Sequence, residues 1–563
     1  MKIKAVGINA RYTHSCLALF YLRNEIQNYY PDSTVEICQY TINDPYYILL
    51  QRLSEGHPDY YFFSSAIWNS DLVVELVADL LLIDESCRFV IGGPQAEIVG
   101  EKLEDRDRVT IYLGSIEGAG PGFFQDLAAG SLERCYKTPF FSSSRPDFSY
   151  PYRSEDFSGP LKNRHVYYES SRGCPFSCSY CLSSAEKGLY HKPLDRVFSE
   201  LADILYHTPA VVRFIDRTFN DNPKRALQIW KYLKEHGGKT LFHFEIAPDR
   251  FSDELFQFLE GMAANRFQFE IGIQSTHEKT LEAIDRPIDP QSAAQVIRKI
   301  RTMETIHLHA DLILGLPFET KESFFRSLND IFAMEPHYIQ MGVLKLLPGT
   351  RIEQQADQNG YRASRQPPYP VLSSKWLDGG IFRELYWLSE CVEKYVNNRY
   401  FITIWSYLRD CGDDIAHFFS ALGRRLHSQG YFWKATTQER LSILLLEHAK
   451  SRPDISIFAD LLRYDWLRCG HRFVPDHLKE DNRQVDELRR NLFHNLPETL
   501  GDCYDRRTRA TFFKKSVFYS FSRESLHYIG YEVNSARGII CFLPEREETV
   551  LRLQRVKLVA EEL

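Results

Sequence analysis

No apolar run in this chain of 563 residues reaches the roughly 18–20 residues that a membrane-crossing helix needs. The first strand-like segment also carries Asn9 and Arg11 where a secretory leader stays apolar. The sequence therefore predicts no membrane contact and a cytoplasmic location. Closely spaced cysteines are scarce as well: of the twelve, all but one trio stand apart, which suits reduced thiols and excludes a disulfide framework. No repeat of about 20–50 residues is present, which excludes a solenoid or a propeller. The compositional bias of disordered or fibrous chains is missing too, since apolar residues make up 44% and charged residues 25%. Net basicity is also lacking. The formal charge of −7 argues against broad nonspecific binding of nucleic acid, although the acidic excess lies in residues 1–400 and residues 401–563 are slightly basic.

At this length the chain divides into several cores. Short apolar segments at 3–9, 35–40, 60–64, 89–93 and 110–114 alternate with helical stretches, the rhythm of a parallel, doubly wound sheet. A segment rich in Pro, Ser, Tyr and Phe follows, with Pro139, Pro146, Pro151 and Pro160, and reads as an extended linker. A second alternation places strands at 166–169, 212–216, 242–246, 267–272, 307–314 and 338–346, enough for a partial parallel barrel of six βα units. Beyond residue 351 the pattern changes to long amphipathic runs such as 382–395 and 440–448, with β-like segments only at 528–533 and 538–543. The expected class is α/β: a Rossmann-like domain over 1–140, a linker over 141–163, a partial (β/α)6 barrel over 164–355, and a mainly helical domain over 356–563.

The trio of cysteines, Cys174, Cys178 and Cys181, falls within eight residues directly after an apolar strand. One loop can wrap three thiolates around three irons of a four-iron cluster and leave the fourth iron open to a chelating molecule. A zinc site, which normally takes a fourth protein ligand, and three buried thiols that happen to be close are the alternatives.

The spacing CxxxCxxC, with Tyr180 before the last cysteine, resembles the radical S-adenosylmethionine (SAM) superfamily at every position of that loop. Segments 216–220 (DRTFN), 245–249 (EIAPD), 272–275 (GIQS), 311–320 (DLILGLPFET) and 345–350 (KLLPGT) are similar to later strands of that family's barrel and follow in its order. The resemblance implies a [4Fe-4S] cluster on Cys174, Cys178 and Cys181, reductive cleavage of SAM to a 5′-deoxyadenosyl radical, and abstraction of hydrogen from carbon. It implies SAM contacts from Tyr180, Asp216, Glu245, Gln274, Arg286 and Leu346, with Tyr180 meeting the adenine through its backbone. It also implies an electron donor of the flavodoxin or ferredoxin type.

In the first domain, Gly92-Gly93-Pro94-Gln95 and Gly114-Ser115-Ile116-Glu117-Gly118 close the fourth and fifth strands. Glycine turns at strand C-termini sit where open α/β sheets bind ligands, though such a turn can also be purely structural. Their order before a radical barrel resembles the cobalamin-binding domain of cobalamin-dependent radical SAM enzymes. That resemblance implies a base-off corrinoid, because the DxHxxG motif that supplies a histidine to cobalt is absent. It makes Asn9, His14, Ser64, Ser65, Trp68, Gly93, Pro94, Gly114 and Glu117 the wall of its site. The implied reaction is transfer of a methyl or methyl-derived carbon to an unactivated carbon. Redox or rearrangement without carbon transfer, and a sensor that binds without turnover, are the rival readings.

The substrate has no motif. The run Arg506-Arg507-Thr508-Arg509 with Lys514 and Lys515, beside Phe518, Tyr519 and Phe521, combines groups that neutralise phosphates with faces that stack unpaired bases, and makes tRNA the expected partner. A solvated basic face beside core aromatics is the plain alternative.

Overall fold

A computed structural model of the chain describes residues 1–103, 107–138, 148–185, 188–480, 483–495, 500 and 509–561. The first domain is a six-stranded parallel sheet of β1 (Lys2–Asn9), β2 (Thr34–Thr41), β3 (Tyr60–Ser64), β4 (Arg88–Gly92), β5 (Val109–Leu113) and β6 (Cys135–Lys137), in the order β2-β1-β3-β4-β5-β6. Seven of eight residues in β1 are buried, as expected of a strand covered by helices on both faces. Alternate side chains feed two cores: Val6, Ile8, Tyr61, Phe63, Phe89 and Ile91 on one face, and Ile3, Ala5, Tyr60, Phe62, Val90 and Tyr112 on the other. The direction of winding reverses between β1 and β3, so a crevice opens at the strand C-termini there.

Of the expected linker, residues 141–147 lie outside the described residues, and the remainder is not a loose tether. Arg23, in the helix Ala18–Tyr29, meets Asp156 at 2.5 Å with both side chains buried. Tyr152 packs edge-on against Phe20 and donates its hydroxyl to the Tyr167 carbonyl.

The second domain begins with β7 (Val166–Tyr168), followed by the antiparallel hairpin β8 (Ser171–Gly173) and β9 (Leu189–His191). Then come β10 (Val211–Phe214), β11 (Leu241–Glu245), β12 (Phe267–Gln274), β13 (His307–Leu314) and β14 (Tyr338–Val343), with sheet order β14-β13-β12-β11-β10-β7, all parallel. This is the partial barrel of six βα units. In β12 the odd residues Phe267, Phe269, Ile271 and Ile273 are buried against the outer helices, while Gln268, Glu270, Gly272 and Gln274 take the other face. The outer layer is dense with rings around the fully buried Trp230.

The C-terminal region packs the helices Gly379–Tyr395, Ile402–Asp410, Ile415–Ser428, Gln438–Ala449 and Ile455–Arg468 onto the barrel. It ends in an antiparallel sheet of β15 (Val517–Ser522), β16 (Arg537–Arg546) and β17 (Gln554–Glu561). The expected strand at 528–533 is not there: Tyr528 closes the helix Arg523–Tyr528 and a turn through Gly530, at positive φ, follows. Among the described residues no helix is long and apolar enough to cross a membrane.

Candidate active site

The cysteine loop is the connection between β8 and β9. Gly173 sits at φ +93, where a Cβ would approach the Gly188 carbonyl oxygen to 2.0 Å, so the hairpin closes this tightly only around glycine. The loop is pinned from outside. Ser179 donates its N–H to the Ile284 carbonyl at 2.9 Å, its own carbonyl accepts from Ile352 N–H at 3.0 Å, and the Arg351 guanidinium donates to the Ser177 carbonyl.

Cys174, Cys178 and Cys181 line a cavity of about 220 Å³ at the C-terminal ends of the barrel strands, together with Tyr180, Arg217, Thr218, Glu245, Glu270, Gly272, Gln274, Arg286 and Asp311. Among the described residues no three His, Cys, Asp or Glu side chains converge as ligands of a single ion. A four-iron cluster takes one thiolate on each of three irons, which suits three cysteines carried by a single loop. The thiols therefore fit a cluster.

Arg286 ties the loop to the barrel. It donates to the Gly272 carbonyl at 2.6 Å and toward Cys178 Sγ at 3.7 Å. Glu245 ends β11 with its carboxyl pushed up to about 7 by burial, against the pull of Arg217. Two buried acceptors in the wall, Gln274 Oε1 and Asp311 Oδ1, have no hydrogen-bond partner, which fits a cavity built to receive donors. Tyr180, Glu245, Gln274 and Arg286 are thus brought together as expected.

Asp216 and Leu346 are not in this wall. Asp216 is buried behind it and accepts from Ser170 N–H, Ser170 Oγ and Ser171 Oγ at 3.0, 2.6 and 2.6 Å, fixing the turn that leads into β8. Leu346 packs against the core and donates its N–H to the Tyr369 carbonyl. Sequence reading missed Arg217, Thr218, Glu270 and Asp311 as wall residues. The alternation of polar and apolar residues in β12 and β13 carried the signal for the last two.

A second cavity, of about 370 Å³, lies between the first sheet and the barrel. Ser64, Gly93, Gly114 and Glu117 line it with Tyr21, Glu169, Arg172, Ser183 and Arg217. Gly93 and Gly114 take φ of +93 and +106, and a Cβ at either would strike the backbone oxygen of Ser65 or Thr138. Their turns leave bare backbone facing the cavity. Glu117 pairs with Arg172 at 2.5 Å across the seam between the domains, and Arg172 pairs with Glu169 at 2.8 Å.

The other expected wall residues turn elsewhere. Asn9 donates to Gln39 Oε1 and the Tyr40 carbonyl, locking β1 to β2. His14 bonds the Tyr167 hydroxyl at 2.5 Å and packs against His165, on the barrel side. Ser65 is buried, with its N–H on the Gly92 carbonyl. Trp68 is half exposed and donates Nε1–H to the Ile8 carbonyl, and Pro94 is exposed.

Arg506 and Arg507 lie outside the described residues. Arg509, Lys514 and Lys515 sit exposed on the helix Arg509–Lys515, where Arg509 stands over the Phe493 ring. Phe518, Tyr519 and Phe521 are buried in β15, so these rings offer no stacking face, and the plain reading of them as core aromatics is the correct one.

Residues 168–331 match the family model of the radical SAM superfamily, and residues 357–542 match a family described only as a protein of unknown function, DUF4080. An uncharacterized methyltransferase of Pyrococcus horikoshii is 30% identical over 196 residues, covering 34% of this chain and 41% of that protein. The cobalamin-dependent radical SAM methyltransferase TokK of Streptomyces tokunonensis is 27% identical over 362 residues, covering 55% and 51%. The chain thus spans about half the length of these curated relatives. The solved structure of the cobalamin-dependent S-adenosylmethionine radical enzyme OxsB with aqua-cobalamin bound aligns with a TM-score of 0.58 at 13% identity, over 87% of this chain and 83% of that one. Fold and site agree with the match of residues 168–331 to the radical SAM superfamily. Its architecture, a Rossmann-like sheet ahead of the barrel and a helical region behind it, follows the fold of the OxsB structure.

Proposed function

We propose that this chain is a cobalamin-dependent radical SAM enzyme that transfers a methyl or methyl-derived carbon to an unactivated carbon. One observation carries the reading: the cysteine-lined cavity and the cavity under the first sheet share Ser183 and Arg217 in their walls. A group held in one is therefore next to a group held in the other. When bound, the cluster and SAM supply a carbon-centred radical and the corrinoid supplies a carrier for the methyl group. The protein's own part is to place and enclose them. Cys174, Cys178 and Cys181 would hold the cluster, which leaves one iron open for SAM. Tyr180, Gln274 and Arg286 would orient SAM at the strand ends, and the turns at Gly93 and Gly114 would let backbone approach the corrinoid closely.

Reduction of the cluster calls for a flavodoxin- or ferredoxin-type donor. Exposed Lys514 and Lys515 support a tRNA acceptor, while the buried aromatics beside them do not. The test is anaerobic turnover of the reconstituted protein with SAM labelled in its methyl group, offered total tRNA and a small-molecule extract separately. Release of 5′-deoxyadenosine and label in one fraction is the expected result, and the labelled fraction identifies the acceptor class. Protein that retains no corrinoid, or a product that carries no label, overturns the methyl-transfer reading. Loss of 5′-deoxyadenosine is expected in the Cys174→Ala/Cys178→Ala/Cys181→Ala variant; cleavage that survives there overturns the cluster assignment.

A further inference from the structure

At the N-terminal ends of the barrel strands, opposite the cysteine-lined cavity, lies a third cavity of about 60 Å³. Its wall comes from both halves of the chain. Arg301 ends the helix Pro290–Arg301 that leads into β13, and Glu335 and His337 stand just before β14. From the C-terminal region come Arg399, Arg409 in the helix Ile402–Asp410, and Leu551 in the connection from β16 to β17. That connection is fastened to the barrel: Val550 donates its N–H to the Glu304 carbonyl at 2.8 Å, and Asn265 Nδ2 donates to the Thr549 carbonyl at 3.3 Å.

The wall carries more donors and more positive charge than it can match. Its three guanidinium groups meet one carboxylate, Glu335, which pairs with Arg409 at 3.1 Å. Arg399 donates to His307 Nε2, a neutral acceptor. The Arg301 guanidinium, half-buried, has no hydrogen-bond or ion-pair partner among the described residues. Burial and the nearby Arg409 lower its pKa, against the pull of Glu335 and the exposed Glu304. His337 adds a neutral donor. Its Nδ1 accepts the Leu308 N–H at 3.1 Å, so the neutral ring carries its proton on Nε2. That Nε2 is buried and has no partner. Burial, then Arg301 and Arg399, keep the ring neutral.

We propose that this cavity binds a small tetrahedral oxyanion, inorganic phosphate or the phosphoryl group of a monoester, with Arg301 as its main donor, Arg399 and Arg409 beside it, and His337 Nε2–H as a neutral fourth. Three considerations favour that ligand. A guanidinium fork matches phosphate oxygens with two parallel hydrogen bonds. A phosphate dianion balances the two positive charges that Glu335 leaves over, whereas water would fill the space and leave them unbalanced. The volume, that of about two waters at ~30 Å³ each, accepts an oxyanion and is too small to enclose a nucleotide. Because the wall joins the barrel to the C-terminal region, the anion would fasten one to the other, at a site apart from the cluster and corrinoid cavities and independent of the reaction proposed for them.

The experiment is equilibrium dialysis of the full-length protein against radiolabelled inorganic phosphate at constant ionic strength in sodium chloride, beside melting curves with and without phosphate. The expected result is one phosphate per chain, competed by unlabelled phosphate, sulfate and glycerol 3-phosphate but not by acetate, and bound at least tenfold more weakly by Arg301→Gln. Tighter competition by glycerol 3-phosphate than by phosphate identifies a monoester as the ligand, and the reverse identifies free phosphate. In phosphate-free buffer Arg301→Gln should melt no lower than wild type, because it removes an unpaired cation beside two others. In phosphate the order should reverse, since only the wild type gains from the ligand. No phosphate bound above the chloride background, equal competition by acetate, or undiminished binding in Arg301→Gln overturns the proposal. So does a variant that melts below wild type by the same margin in both buffers, which would make Arg301 a structural residue. If Arg301→Gln does not fold, Arg399→Gln takes its place in the dialysis, with the same tenfold loss expected and undiminished binding again overturning the site.

Discussion

Asp216 shows how a residue in a family segment can serve the site without touching what the site binds. Its carboxylate takes both serine hydroxyls and a backbone N–H at the turn before β8, and it is only 2% exposed. Burial raises its pKa, and the hydrogen bonds from Ser170 and Ser171 oppose the rise. Asparagine keeps the shape but turns one acceptor into a donor facing a donor, a mismatch that costs about 1–3 kcal/mol when buried. Asp216→Asn should therefore lower unfolding stability by that amount in a denaturant titration, while SAM affinity measured well below the transition stays within about threefold of wild type. A large loss of SAM affinity with unchanged stability would return Asp216 to the binding wall. Nothing in the letters DRTFN distinguishes these roles, because the deciding contacts come from Ser170 and Ser171, about 45 residues earlier.

At the scale of elements, strong periodicity was readable and short polar pieces were not. β12 alternates without a break over eight residues, so both its strand character and its inward polar row follow from the sequence. β6 and the hairpin strands β8 and β9 are three residues each, and β6 has no buried residue. These are below the length at which a period of two can be seen, and they exist because neighbouring strands or a tight loop hold them. The segment 528–533 misled in the opposite direction: its apolar residues belong to a helix end and a turn whose side chains pack on the last sheet.

The β8–β9 hairpin gives the sharpest test at this scale. Gly173→Ala places a Cβ 2.0 Å from the Gly188 oxygen at a positive φ, which costs about 1–3 kcal/mol in backbone strain alone. The strain falls on the residue before Cys174. Iron content after reconstitution should drop severalfold while far-ultraviolet circular dichroism at 20 °C stays near wild type, since the barrel strands do not pass through this loop. Full iron loading of Gly173→Ala would show that the loop closes another way.

Across the whole molecule, the larger of the two proposed cofactor cavities depends on how the first domain is seated on the barrel, because it has a wall from each. The seam is held by charged and polar side chains that reach across it. Arg172 bonds Glu117, Arg164 donates to the carbonyls of His14 and Gln39, and Tyr369 donates to Gln95 Oε1 at 2.7 Å. Arg23 is the most enclosed of these, pairing with Asp156 and also donating to the Pro151 carbonyl at 3.1 Å. Arg23→Ala leaves the Asp156 carboxylate buried without its cation, a loss of about 3–5 kcal/mol. The double variant Arg23→Met/Asp156→Leu removes both charges, and its loss should be smaller than that of either single variant. Because the pair fastens the chain leaving the first domain onto that domain's own helix, Arg23→Ala should also weaken corrinoid retention more than cluster loading. Melting curves of the three variants, read beside their corrinoid and iron contents, check both statements. Additive single-variant losses, or equal loss of iron and corrinoid, would show that this pair does not govern the seating of the first domain.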